Sequence, residues 1–190
     1  LMEPCERELA SYLVRFGEYP IHREEKMIYG AEKVDEITVS QYIRQSLEED
    51  ELTFSNPVFQ KIYDNYFEIP RNPEADVMTA QSRIIQHFTC SEDQSVVREV
   101  ISMISESHPL TIEAYRKSIT PEEQLLHINV PKSVLFFKLR YIELQLKDIP
   151  AQVASAFKNN DVELQTQLIS HQNLLNKVRS QIMQDMRNIK

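Results

Sequence analysis

Hydrophobic residues recur along most of this chain at three- and four-residue intervals, the period of helices that bury one face. Leu9, Tyr12, Leu13 and Phe16 predict a first helix over about Glu3–Phe16, stopped by Gly17. Thr38 or Ser40 can cap a second helix, which turns Ile43 and Leu47 inward and ends at the acidic run Glu48–Glu51. Asn56-Pro57, a capping amide followed by proline at the first helical position, starts a third helix with Val58, Ile62, Tyr63, Tyr66 and Phe67 on one broad face. Pro70, Asn72 and Pro73 then break the chain. A helix over about Glu74–Phe88 follows, with Val77, Ile84, Ile85 and Phe88 as core candidates. Ser91-Glu92-Asp93 opens another, carrying Val96, Val97, Val100, Ile101 and Ile104 and ending at His108-Pro109. Two stretches are less regular. Residues 18–37 hold Pro20, Gly30 and a short extended piece around Met27–Tyr29, and residues 111–128 hold short helices, one starting at Thr120-Pro121-Glu122-Glu123.

The longest pattern comes last. Leu135, Leu139, Ile142, Leu146, Ile149 and Val153 are spaced 4, 3, 4, 3, 4, and Leu164, Leu168, His171, Leu175, Val178, Ile182 and Ile189 resume beyond Lys158-Asn159-Asn160-Asp161. Two heptad-patterned helices joined by so short a turn predict an antiparallel hairpin. A turn centred on Asn159-Asn160 sets Phe157 opposite Val162, Val153 opposite Leu164 and Leu168, Leu146 opposite Leu174 or Leu175, and Leu135 opposite Met183. His171 falls on the seam as a polar position that sets register. Pro150, inside the first arm, predicts a kink. The expected fold is all-α: an N-terminal multi-helix bundle over 1–130 and a long C-terminal antiparallel helical hairpin over 131–190.

Composition supports helices. The chain has 2 Gly in 190 residues, where average usage would give roughly 13. Hairpin turns and phosphate-cradling loops need glycine's positive φ, and long helices do not. Charge divides the chain. Residues 1–130 carry 12 basic and 24 acidic side chains, whereas residues 131–190 carry 9 and 5, so the net charge of −8 hides an acidic part and a mildly basic one. The acidic bundle is unsuited to gripping a nucleic-acid backbone. Cys5 and Cys90 lie far apart without a CxxC, which fits a reducing cytoplasm better than a disulfide scaffold. No apolar run approaches the roughly 20 residues needed to span a bilayer. A chain that opens Leu1-Met2-Glu3 and stops inside a helical pattern reads as a piece of a longer protein.

Candidate chemistry is sparse. None of the phosphate-loop, dinucleotide, HExxH, nucleophile-elbow or EF-hand patterns occurs. His87 and Cys90 could share a helical face, but no further ligands follow at zinc spacing. The paired carboxylates Glu24-Glu25, Glu48–Glu51 and Glu122-Glu123 read as solvated helix ends or loops. No cofactor, metal or catalytic residue is therefore expected. Leu144, Ile169, Leu174, Met183 and Met186 lie on or beyond the margin of the hairpin seam, an extra apolar strip of the kind a partner helix uses.

Three segments carry a resemblance: Glu6-Arg7-Glu8-Leu9; Leu52-Thr53-Phe54-Ser55-Asn56-Pro57-Val58-Phe59-Gln60-Lys61-Ile62-Tyr63; and Val130-Pro131-Lys132-Ser133-Val134 leading into the long helix. In this order they resemble the C-terminal helicase-binding domain of bacterial replicative DNA primase, over essentially the whole chain. The resemblance implies a non-catalytic module. In that family a helical bundle precedes a helical hairpin, and the hairpin docks on the N-terminal domain of the hexameric replicative helicase during primer synthesis. The zinc module and the polymerase core lie upstream. The implied partner is the replicative DNA helicase N-terminal domain, with single-stranded-DNA-binding protein a further candidate, and the domain alone should be mainly monomeric. Leu174, Met183, Met186 and Arg187 are the expected contacts. The alternative, kept open by a similar bundle fold, is an N-terminal oligomerisation collar of the helicase itself.

Overall fold

The computed structural model describes residues 2–21, 37–72, 74–105 and 121–189. The expected extended piece around Met27–Tyr29 and the helix end at His108-Pro109 lie outside them. The fold is all-α. Seven α-helices occur among the described residues: α1 (Glu3–Phe16), α2 (Val39–Glu48), α3 (Pro57–Glu68), α4 (Val77–Thr89), α5 (Gln94–Ser105), α6 (Leu126–Lys158) and α7 (Val162–Asn188). Strands β1 (Pro20–Ile21) and β2 (Ile37–Thr38) pair antiparallel over two residues each, Pro20 with Thr38 and Ile21 with Ile37. By its contacts the chain separates into two compact units, Glu3–Val130 and Pro131–Lys190, with Met2 grouped with the second.

In the first unit α1 is the central helix, packed against α2, α3, α4 and α5. It is buried on nearly all sides: Leu9, Ala10, Leu13 and Val14 are fully inaccessible, and Cys5, Glu6, Tyr12 and Phe16 are close to it. The surrounding helices start where short polar side chains replace missing intrahelical acceptors. Thr38 caps α2 in a reciprocal box with Gln41. Asn56 caps α3 ahead of Pro57, and Asp76 caps α4. In α4 the helix begins at Val77 rather than Glu74, and Val77 is 38% exposed; the core position one turn on belongs to Gln81. In α5, Val96, Val100 and Met103 are buried and Ile101 is 49% exposed, so the inward stripe is narrower than its apolar content suggested.

The long helix starts earlier than its heptad pattern indicates. A single 3-10 turn over Glu122–Leu125 leads directly into α6 at Leu126, and the helix runs unbroken through Pro131 and Pro150. Pro131 withdraws the partner of the His127 carbonyl, and His127 is exposed, so water can replace it. Arg15 of α1 pairs with Glu122, fixing this 3-10 turn within the first unit.

In the second unit α6 and α7 are joined by Asn159-Asn160-Asp161. The Asp161 amide bonds the Ala156 carbonyl and the Asn160 amide bonds the Phe157 carbonyl, with Asn160 at φ 54°, the Schellman closure of a helix. The Asp161 carboxylate then caps α7 by accepting from the Leu164 amide at 2.9 Å. Ile142 and Ile149 of α6 are buried with Leu175 and Ile182 of α7. Leu135, Leu139, Leu146, Val153, Leu168 and Met186 pack on that cluster.

The seam uses α7 differently from the expected register. His171 is exposed, Val178 is 40% exposed and Leu164 41%, while Leu168, Leu175, Ile182 and Met186 face inward. Met186, rather than Met183, packs on the seam. Two helices alone can bury one row of each, and the adjacent apolar row of α7 stays wet.

Candidate functional site

Chemistry-bearing or unpartnered side chains gather in several places among the described residues. The first surrounds the end of α1. Gln81, 4% exposed, donates to the Val14 carbonyl at 2.5 Å and accepts from the Glu18 amide at 2.9 Å. It thereby satisfies backbone groups that the end of a helix leaves open. Glu18 accepts from the Tyr66 hydroxyl at 2.6 Å and from Arg71 at 3.2 Å. Arg71 also donates to the carbonyls of Tyr66 and Ile69 at 2.6 and 2.5 Å and lies 4.6 Å over the Tyr66 ring. Burial pushes the Tyr66 phenol well above its usual range, reinforced by the bond to Glu18. A cleft of about 250 Å3 adjoins this cluster, lined by Glu18, Arg71 and Arg83 among others. Glu18 and Arg71 are spent on bracing the ends of α1 and α3, and Asn72 on the Glu74 amide, which are structural roles.

The second place is the end of α4. His87 and Cys90 line one open cleft with Arg83, Gln86, Ser91 and Glu92. Both are exposed, and among the described residues no group of three His, Cys, Asp or Glu side chains could hold a metal ion.

The third is the hairpin surface. Leu174 is 58% exposed and Met183 38%; Arg187 is exposed, and Met186 packs on the seam. These four do not form one surface. Leu174 and Met183 are nine residues apart on one helix, which at about 100° per residue places them on opposite sides of α7. Met183 and Arg187, four apart, share a side, and so does Ile169, which is 47% exposed. On α6, Phe157 is 72% exposed. Together with Pro150, Val153, Ala154, Lys158, Ile169 and Gln172 it lines an open, mostly apolar groove of about 510 Å3 near the hairpin tip. Sequence reading did not single out Phe157 as a surface residue, because a turn-proximal aromatic reads equally well as a closing contact with Val162, which is itself 70% exposed.

Fold and surface together define an all-helical module whose unsatisfied feature is exposed apolar area on a helical hairpin. No described helix is long and apolar enough to cross a membrane. The chain belongs to the family DUF8430, a domain of unknown function, whose model matches residues 1–189. No curated protein and no solved structure matches it.

Proposed function

We propose that this domain is the helicase-binding module of a bacterial DNA primase, docking primer synthesis on the hexameric replicative helicase. The observation that carries the reading is the exposed apolar side of the hairpin, where Phe157, Ile169 and Met183 remain open to solvent beside a filled seam. Exposed large side chains gathered on one face are the usual mark of a protein-docking surface. Two of the segments that carry the resemblance meet in space: the Glu6 carboxylate on α1 accepts from the amides of Ser55 and Asn56, immediately before α3. The likeness therefore lies in residues that build the bundle.

Calorimetry with the N-terminal domain of the cognate helicase tests the proposal. Binding is expected for the 190-residue chain and is lost on deletion of residues 159–190. Binding that survives the deletion would remove the hairpin from the interface. Light scattering distinguishes the alternative: the primase module is expected as a monomer, and a self-associated ring would favour the helicase collar.

A further inference from the structure

Both arms of the hairpin contribute to the side on which Met183 and Arg187 lie. On α7, Ile169, Gln172, Asn176, Arg179, Met183 and Arg187 follow at three- and four-residue spacing, a continuous stripe beside the seam. On α6, Pro150, Ala154 and Phe157 border the same groove as Ile169 and Gln172. The side has a charge sign. Lys158, Arg179 and Arg187 are exposed and make no ion pair among the described residues, the stripe from Ile169 to Arg187 contains no carboxylate, and Glu143, on the same side of α6 seven residues before Pro150, is already paired with Arg140. The opposite side carries Leu174 and His171.

Resting on the docking reading above, we propose that this basic, apolar-floored side is the contact surface, and that its occupant is an amphipathic helix of the helicase N-terminal domain bearing Asp and Glu beside its apolar residues. Charge complementarity fixes the partner's sign, since an acidic helix neutralises Lys158, Arg179 and Arg187 while a basic one meets like charge. The stripe sets the partner's size. From Ile169 to Arg187 α7 rises about 27 Å, so the surface takes about five turns of a partner helix, with anchors entering near Phe157 and Ile169 and near Met183.

The experiment is titration of the helicase N-terminal domain into the whole chain and its surface variants, each checked for helicity and unchanged melting. Ile169→Glu and Met183→Glu are each expected to weaken binding at least about tenfold, as loss of apolar anchors does. Arg179→Glu with Arg187→Glu is expected to do the same and to flatten the salt dependence. Leu174→Glu, on the other side, stays within about twofold of the parent. Loss with Leu174→Glu and none with Ile169→Glu overturns the choice of surface while leaving helicase binding intact. Absence of binding by the parent chain overturns the docking reading itself. Tighter binding by Ile169→Glu would also overturn the proposal.

Discussion

The Tyr66 hydroxyl donates to the Glu18 carboxylate at 2.6 Å, tying α3 to the segment that leaves α1. The phenol is buried, and its folded-state pKa is raised by that burial and by Glu18. An unfolded tyrosine ionises near pH 10. Below that pH both states are neutral and the stabilising contribution is fully present. As pH rises beyond it, the unfolded state loses its proton first and stability falls. The parent chain should therefore lose melting temperature more steeply than Tyr66→Phe between about pH 9 and 11. Parallel slopes in thermal melts across that range would refute the linkage.

Gly17 is needed here for space. A Cβ built on it would fall onto the Tyr66 hydroxyl and the Leu13 carbonyl oxygen. Gly17→Ala should therefore cost on the order of 1–3 kcal/mol, the overpacking penalty of a tight core. Tyr66→Phe in the same chain should recover part of it, because one of the colliding atoms is removed. Urea unfolding of the two single variants and the double variant checks this, and strict additivity would refute the contact.

Glu6 is 1% exposed and accepts two backbone amides from the residues that precede α3. Glu6→Ala should destabilise the chain by about 1.5–3 kcal/mol, the usual worth of hydrogen bonds to a charged group. Glu6→Gln keeps one acceptor oxygen and should lose less. Equal losses for the two variants in chemical denaturation would show that packing, and not the carboxylate, matters at this position.

Among the described residues, two non-glycine residues hold the left-handed conformation that ends a helix: Glu51 at φ 53° and Asn160 at φ 54°. Around Glu51 the amides of Glu51 and Leu52 bond the carbonyls of Glu48 and Leu47, so the motif is intact and only the side chain is unsuited to it. Glu51→Gly is expected to stabilise by about 0.5–1 kcal/mol. Asn160→Gly gains less, since asparagine already tolerates this region. Thermal melts showing Glu51→Gly below the parent would contradict the argument.

Helix starts were the most legible feature, because Thr38, Asn56-Pro57 and Asp161 act through local chemistry written in adjacent residues. The hairpin's α6 row was equally plain. Buried polar residues were not. Gln81 and Glu6 occupy core positions because each meets backbone groups at the end of another helix, and nothing in their own neighbourhoods announces that. Val77 and Ile101 show the reverse error: where apolar residues cover more than one side of a helix, periodicity cannot choose which side packs. The candidate surface was half legible for a related reason. Leu174 and Met183 are both exposed apolar residues, yet their separation around α7 divides them, and the place of Phe157 depends on a groove that both arms build.

Asp161 ends one helix with its amide and begins the next with its carboxylate. Every bond that closes this reversal joins residues no more than five apart in the chain. The loop entropy opposing it is therefore small, and the turn can form on the time scale of helix growth, ahead of any contact between distant parts of the arms. The hairpin should consequently assemble as a zipper that starts at its tip and runs toward Leu135 and Met186, with Asp161 in place at the rate-limiting step and the far end of the seam still open.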